Sequence, residues 1–216
     1  SGNGQIEQGT RKMTRLALIR HGRTAWNDEV RMQGQTDIPL SDAGYLQIRD
    51  HIGVALNPEL AGFYWMSSPL KRARTTAGLL CGFAPPLEPA LMEMNWGDWE
   101  GRTLADLRAE LGPALQENED KGLDFRPAGG ESPRDVQQRL KSWMSDIAGT
   151  RPGITAVCHK GVIRAVMALA YNWDMMGKAP VKLDWTSAHI FELDRDGSPR
   201  PWKMNVPVGE PLTNLS

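Results

Sequence analysis

The sequence predicts an α/β domain, a three-layer α/β/α sandwich in which helices cover both faces of a mostly parallel central sheet. Short apolar runs bounded by turn residues recur along the chain, which is typical of strands buried on both faces. Longer helical patterns separate these runs, and strands that alternate with helices favour parallel pairing. The chain has 216 residues, which suits one such domain and is short for two.

Five apolar runs are predicted to form strands. They are RLALIR (15–20), GFYWMS (62–67), GITAVCH (153–159), AHIFEL (188–193) and, with a weaker pattern, RPWKMN (200–205). A further weak candidate is PLEPALME (86–93), whose prolines cannot donate to a sheet ladder.

Four segments between these runs are predicted to be helical: 40–56, 68–82, 131–149 and 161–173. Ser41 is a suitable N-cap for the first, and Gly82 is a suitable stop for the second. The third has the clearest signals, with Ser132 as N-cap, Pro133 at the first helical position and Asp135 three residues after the cap. The fourth is apolar enough to be buried.

The chain is predicted to hold one domain, residues 14–216, after a polar and glycine-rich tail, residues 1–13. The tail lacks the apolar centre of a signal peptide. Residues 94–130 are more polar and acidic, and we expect them to form a small insertion of helices and loops, a lid over the active site.

Composition excludes several classes of partner. The 25 basic and 26 acidic residues give a net charge of −1, so no overall basic field favours nucleic acid or an anionic membrane. No apolar run approaches the length of a membrane span. Two cysteines, Cys81 and Cys158, are too few for a disulfide framework and indicate reduced thiols in a cytoplasmic protein, with one disulfide left open. The oligomeric state is also open, with a homodimer among the options.

Polar residues collect where the predicted strands end, and ligands of open α/β sheets bind outside the carboxyl ends of the strands. The residues at these ends are Arg20, His21, Ser67, Ser68, Lys71, Arg72, Arg74, Glu93, His159 and Lys160. Taken singly, each is more commonly a packed or solvated side chain. Their coincidence at several strand ends predicts a local cationic pocket for an anionic substrate.

Six sequence blocks resemble, in order, the signatures of the histidine phosphatase superfamily, also called the phosphoglycerate mutase-like family. They are RHGRTAWN, QTDIPLSDAG, SSPLKRARTTA, MEMNWGDWEG, GGES and CHKGVIRAV, and the resemblance covers Leu16 to Val166. The tripeptide RHG alone is a weak signal, whereas six blocks in the right order are a strong one. The resemblance implies a phosphoglycerate mutase-like fold and a covalent phosphohistidine mechanism that requires no metal or other cofactor.

The resemblance also implies residue roles. His21 matches the nucleophile, and Glu93 matches the proton donor, which needs a raised pKa to protonate a leaving alkoxide. The phosphate-binding positions match Arg20, Arg72 and His159, with Asn27 as a further hydrogen-bond donor. Charged donors suit phosphoryl transfer because its transition state spreads charge over the equatorial oxygens. Arg23 and Thr24 lie close by in sequence and are candidates either to contact substrate or to shape the loop.

This sequence departs from the family pattern after the second histidine. Many relatives have glycine there, and this chain has Lys160 followed by Gly161. Lys160 is either a solvated side chain or an extra cation for the substrate. Trp96 and Trp99 either wall the substrate pocket or serve packing.

The stretch EMNWGDWEG and the early QGQTDIPLS resemble the phosphatases of the family more than its mutases. The primary prediction is therefore a phosphatase that hydrolyses a small phosphorylated metabolite, and a phosphoglycerate mutase is the main alternative. Two others stay open at this point: a phospho-ligand-binding protein without activity, and a metal-dependent phosphatase.

Overall fold

A five-stranded sheet forms the centre of the computed structural model, which describes residues 13–52 and 56–209. Its strands are β1 (Thr14–Arg20), β2 (Tyr64–Ser67), β3 (Gly153–Cys158), β4 (Ala188–Leu193) and β5 (Pro199–Val206), in the order β2-β3-β1-β4-β5. All five predicted strands are present.

The sheet is mixed. Strand β3 pairs in parallel with β1 and β2, whereas β4 runs antiparallel to both β1 and β5. Strands β4 and β5 pair antiparallel because they are joined by a tight turn, in which the Gly197 N–H donates to the Asp194 carbonyl at 2.9 Å. A hairpin connection needs no crossover helix, so the alternation of strands and helices that predicted a mostly parallel sheet ends at β4.

The weak strand candidate PLEPALME is not a strand of this sheet. Residues Pro89–Leu91 form a short 3₁₀ helix, and Leu87 makes only an isolated bridge with Ser67. The prolines remove main-chain donors and set the backbone for a helical turn, so pairing cannot extend.

Seven α-helices surround the sheet within the described residues: α1 (Ala25–Asp28), α2 (Asp42–Ile52), α3 (Lys71–Cys81), α4 (Leu104–Leu111), α5 (Pro113–Glu119), α6 (Pro133–Ile147) and α7 (Lys160–Ala170). Further 3₁₀ turns are Pro58–Leu60, Gly97–Trp99 and Gly122–Asp124. Across the described residues, no helix combines the length and apolar character needed to cross a membrane.

The predicted helix ends are confirmed by their hydrogen bonds. Ser132 and Asp135 form a reciprocal capping box at the start of α6, with Pro133 in its first turn. Gly82 ends α3 in a left-handed conformation, φ 80°. The Ser41 hydroxyl accepts a hydrogen bond from the Gly44 N–H at 3.2 Å at the start of α2.

Helices pack on both faces of the sheet, as a three-layer sandwich requires. Alternate side chains of β1 face opposite layers: Leu16 and Leu18 pack with α6 and α7, whereas Ala17 and Ile19 pack with α3. Strand β1 is thus packed on both faces, and this packing fixes the position of the residues at its carboxyl end.

The 94–130 segment contains α4, α5 and a small apolar cluster of its own. Trp99, Leu107 and Leu115 are buried in this cluster, and Trp96 and Phe125 pack against it. Its assignment as a lid stays a prediction. The predicted tail, residues 1–13, lies outside the described residues except for Met13.

Candidate active site

The carboxyl ends of β1 and β3 bring the two strand-end histidines together. The His21 N–H donates to the Cys158 carbonyl at 3.0 Å, and the rings of His21 and His159 lie 5.1 Å apart between centroids. Both side chains are buried. Residues that are 138 positions apart in the chain thus meet because parallel neighbours end at the same edge of the sheet.

The imidazole of His21 is held in one tautomer. Its Nδ1 lies 2.7 Å from the Gly22 carbonyl oxygen. A carbonyl only accepts hydrogen bonds, so Nδ1 carries the proton and Nε2 keeps its lone pair. Burial lowers the pKa of His21 well below its usual value, and the charges of Arg72 and Arg20 lower it further. His21 is therefore neutral at neutral pH, which is the form a nucleophile needs.

Arg72 lies fully buried and ties two loop carbonyls to the site. Its Nη1 donates to the Thr36 carbonyl at 3.0 Å, and its Nη2 donates to the Gly34 carbonyl at 2.6 Å. Its Nε is buried without a hydrogen-bond partner among the described residues. Burial lowers the pKa of Arg72 to about 10, so the guanidinium remains charged at neutral pH.

Arg20 ends β1 on the wall of the same site. Its Nε is also buried and makes no hydrogen bond within the described part of the chain. Its guanidinium carbon lies 5.8 Å from the ring centroid of Trp185. Both arginines thus have a buried Nε–H that lacks an acceptor, which is typical of an anion-binding site without its ligand.

His159 is oriented by Ser68, which follows β2. His159 Nε2 lies 2.8 Å from the Ser68 hydroxyl, and His159 Nδ1 is buried without a partner in the described ranges. Burial, then the charges of Arg72 and of a protonated His21, lower the pKa of His159 well below its usual value. The protonated form of His159 is thus disfavoured until an anion binds beside the ring.

Glu93 is buried with both carboxyl oxygens hydrogen-bonded to main-chain donors. Oε1 accepts from the Met94 N–H at 2.8 Å, and Oε2 accepts from the Gly161 N–H at 3.1 Å. Burial raises the pKa of Glu93, although these hydrogen bonds and the charges of Arg72 and Arg139 oppose the rise. A side chain at position 161 would place Cβ 2.3 Å from Oε1, so glycine is required for this close approach.

Arg139 on α6 supports the segment that carries Glu93, a contact that the sequence analysis missed. Its Nη2 donates to the carbonyls of Met92, at 2.7 Å, and Glu93, at 3.3 Å, and its Nη1 donates to the Ala90 carbonyl. An ion pair with Glu131 at 3.2 Å fixes the other side of the guanidinium. No sequence signal separates Arg139 from a surface arginine of an amphipathic helix, since its partners lie 46 to 49 residues away.

The loop after His21 is organised by a capping box at α1. The Thr24 hydroxyl caps the helix, while the Asn27 Oδ1 accepts from the Thr24 N–H at 3.0 Å. Thr24 is buried and shapes the loop, and Asn27 lines the cavity. Arg23 is exposed beside the cavity and forms an ion pair with Asp28.

A cavity of about 840 Å³ opens above these residues. Of the predicted site residues, those that line it are Arg20, His21, Arg23, Asn27, Glu93 and Lys160, whereas Thr24, Arg72 and His159 lie behind its wall. Aromatic rings of Trp26, Trp96, Phe125 and Trp185 form much of the remaining wall. Trp99 is buried next to Trp96 and serves packing. Of the two alternatives given for these residues, Trp96 therefore walls the cavity and Trp99 packs beneath it.

Comparison with known proteins identifies the family. The profile of the histidine phosphatase superfamily (branch 1) matches residues 16–205. The chain is 32% identical over 186 residues to a glucosyl-3-phosphoglycerate phosphatase of Mycobacterium tuberculosis, covering 76% of this chain and 80% of that protein. It is also 33% identical over 170 residues to a probable phosphoglycerate mutase of Escherichia fergusonii, covering 73% of this chain and 78% of that protein.

A solved structure of a mycobacterial glucosyl-3-phosphoglycerate phosphatase in complex with VO3 has the same fold. It superposes with a TM-score of 0.72 at 27% sequence identity, over 91% of this chain and 99% of that chain. The family match, the identities and the shared fold agree with the six motif blocks and with the paired histidines at the sheet edge. The chain is an enzyme that belongs to the histidine phosphatase superfamily, branch 1.

Proposed function

We propose that the protein is a phosphatase that hydrolyses a small phosphorylated metabolite through a phosphohistidine intermediate on His21, with Glu93 as proton donor. The observation that carries the proposal is the pairing of a neutral His21, whose Nε2 is free, with a buried Glu93 of raised pKa on the wall of one cavity. The opposite pKa shifts suit a nucleophile and an acid.

In the first step, Nε2 of His21 attacks the phosphorus atom and the ester P–O bond breaks. Glu93 gives its proton to the leaving oxygen, so the alcohol departs neutral. Arg20 and Arg72, with Asn27 and His159, stabilise the charge on the equatorial oxygens. The bound phosphoryl group raises the pKa of His159, which then donates as an imidazolium.

In the second step, a water molecule attacks the phosphohistidine. Glu93, now a carboxylate, accepts a proton from this water while the N–P bond breaks, and inorganic phosphate leaves. The enzyme returns to its starting protonation state, so the cycle consumes one ester and one water and needs no further reactant.

The relatives narrow the substrate class. The names of the similar proteins refer to phosphoglycerate or to its glucosyl derivative, and the wide, partly aromatic cavity has room for an alcohol portion larger than a phosphoryl group alone. We expect a phosphate monoester of a sugar or of a small hydroxy acid as substrate.

The test combines product analysis with detection of the intermediate. Phosphate esters are screened for release of inorganic phosphate, and protein quenched during turnover is examined by mass spectrometry for an acid-labile, alkali-stable phosphoryl group on His21. We expect His21→Ala and His21→Asn to lose turnover by about 10⁴-fold or more, together with this signal. Near-normal turnover in a folded His21 variant overturns the mechanism.

A matched control uses a buried histidine outside the site. His189 accepts from the Asn205 N–H at 3.3 Å and does not line the cavity, so His189→Asn keeps an acceptor and should retain turnover. A phosphoglycerate mutase would instead convert 3-phosphoglycerate to 2-phosphoglycerate without net phosphate release. That product pattern would replace the phosphatase assignment while leaving the role of His21 in place.

A further inference from the structure

Three cations on the cavity wall lack a carboxylate partner. Arg20, Lys160 and Arg164 line the cavity and form no ion pair within residues 13–52 and 56–209. By contrast, Arg23 and Arg31 line the same cavity and are paired with carboxylates of neighbouring residues. The unpaired group is therefore a concentrated positive charge in a protein whose net charge is −1.

Aromatic rings hold these cations in place without neutralising them. Lys160 Nζ lies 5.3 Å from the ring centroid of Trp185, and the Arg20 guanidinium carbon lies 5.8 Å from the same centroid. Arg164, one turn after Lys160 on α7, has its guanidinium carbon 5.0 Å from the Trp173 ring centroid. Cation–π contacts orient a charge and leave its hydrogen-bond donors available.

The pKa of Lys160 reflects its partial burial and repulsion by the neighbouring positive charges. Partial burial lowers its pKa, and the charges of Arg20 and Arg164 lower it further. An anion placed between these groups would relieve the repulsion and gain charge-assisted hydrogen bonds.

This cluster shares its cavity with the proposed proton donor, Glu93. Lys160 directly precedes Gly161, whose N–H donates to Glu93 Oε2 at 3.1 Å. Glu93 protonates the leaving oxygen in the proposed mechanism, and Lys160 and Arg164 line the same cavity as Glu93, so we place the alcohol portion of the ester beside them. In the proposed mechanism the phosphoryl oxygens themselves are bound by Arg20, Arg72, Asn27 and His159, which leaves Lys160 and Arg164 without an assigned oxygen.

We infer that Lys160, beside the ring of Trp185, and Arg164, beside the ring of Trp173, form a second anion subsite, and that the preferred substrate is a phosphate monoester whose alcohol carries another anionic group. This inference rests on the proposed phosphatase function and deepens it. The second group is a carboxylate or a second phosphate, which share the oxygen chemistry that the cluster recognises. Lys160 is exposed to solvent and also lines the cavity, and the inference gives it a role in specificity.

Matched substrate pairs test the subsite. 3-Phosphoglycerate and glycerol 3-phosphate differ by a carboxylate, and fructose 1,6-bisphosphate and fructose 6-phosphate differ by a phosphate. We expect kcat/KM to favour the more anionic member of one pair at least about tenfold, and Lys160→Gln to reduce that preference about tenfold. The pair that responds identifies the second group as carboxylate or phosphate.

Controls separate this effect from general damage. Lys141→Gln removes an exposed lysine of α6 outside the cavity and should leave both preferences unchanged. Arg164→Gln should reduce the same preference as Lys160→Gln. Equal losses on both members of each pair, or no preference in the unmodified enzyme, overturn the inference.

A binding measurement keeps the inference testable apart from turnover. Calorimetry on the His21→Asn protein compares Kd for the two members of each pair, with and without Lys160→Gln. A Kd ratio that collapses in the double variant supports the subsite, and an unchanged ratio overturns it. If the unmodified enzyme released phosphate from no ester, the proposed function would be overturned. The subsite would still be tested, because the binding measurement does not depend on turnover.

Discussion

The site has a buried floor and an exposed rim, and they are held by different kinds of contact. The floor, which carries the proposed chemistry, consists of the half-buried Arg20 and the buried His21, Arg72, Glu93 and His159. The rim consists of Arg23, Asp28, Glu29, Val30 and Arg31. On the floor, Arg72 has no exposed surface and binds main-chain carbonyls 36 and 38 residues away. On the rim, the Arg23 side chain is 55% exposed and pairs with Asp28, five residues on.

This difference indicates that the floor of the site is rigid and that the rim is easier to rearrange. Buried charge-assisted hydrogen bonds to the main chain cost much to break, whereas exposed ion pairs contribute little. Val30 on the rim is 73% exposed and has φ 55°, a conformation that a β-branched residue rarely adopts. We therefore propose that phosphoryl chemistry depends on the floor and that the rim adapts to the alcohol portion of the substrate.

The largest effect is expected from breaking the floor at Arg72. Arg72→Lys cannot donate to the Gly34 and Thr36 carbonyls together, and it loses the planar donors that bind phosphate. We expect kcat/KM to fall by about 10³-fold and the free energy of unfolding to fall by about 3 kcal/mol. Arg74→Lys on the exposed side of the same helix is the control, and similar losses in both variants would refute the distinction.

The next effect concerns Glu93 and is selective for the leaving group. Glu93→Gln should lower kcat on alkyl phosphates by about 10²-fold or more, because their alkoxides need a proton. p-Nitrophenyl phosphate, whose leaving group needs little help, should lose far less. Steady-state kinetics on both substrates measures the difference, with the exposed Glu117→Gln as control, and equal losses would remove Glu93 as the acid.

The pH dependence of kcat/KM gives a related prediction. The lowered pKa of His21 keeps the nucleophile neutral well into the acid range, and the raised pKa of Glu93 keeps the acid protonated above its usual range. Activity on alkyl phosphates should therefore be highest on the acid side and fall about tenfold per pH unit above the pKa of Glu93. p-Nitrophenyl phosphate should show a weaker alkaline decline, and identical alkaline limbs would contradict the assignment.

A smaller effect is expected at the support behind the floor. Arg139→Gln loses its contacts with the carbonyls of Ala90, Met92 and Glu93, which should lower kcat on alkyl phosphates about tenfold with little change in KM. The loss should be weaker on p-nitrophenyl phosphate, which depends less on Glu93, and a purely structural role would affect both alike. Arg134 lies on the same helix and forms an exposed ion pair with Asp124 of a neighbouring 3₁₀ turn, so Arg134→Gln should leave kcat unchanged.

The smallest effect is expected on the rim. Arg23→Gln removes an exposed ion pair, so the free energy of unfolding should change by less than about 1 kcal/mol and kcat by less than about threefold. Thermal unfolding and kinetics measure both quantities. A loss as large as that of Arg72→Lys would place Arg23 among the groups that bind the phosphoryl oxygens.

The motif residues and most secondary structure could be predicted from the sequence, because both depend on local patterns. Apolar runs located the five strands, and Ser132, Pro133 and Asp135 located the start of α6 through contacts within three residues. The strand-end rule then placed His21 and His159 at one edge of the sheet. The weak prediction of a strand in PLEPALME was wrong. Its apolar residues favoured a strand, but its prolines set the backbone conformation and a 3₁₀ helix formed instead.

Only the tertiary structure decided how the side chains of the site are oriented and protonated. Folding brings together residues that are distant in the chain, and these contacts anchor Arg72 to main-chain carbonyls, support Glu93 through Arg139 and place Lys160 beside an aromatic ring. The tautomer of His21 depends on a side-chain orientation that the sequence does not specify. The direction of the pKa shifts likewise follows from burial and neighbouring charge. The sequence by itself determined which chemical groups are available at the strand ends, and packing determined their protonation, orientation and division between floor and rim.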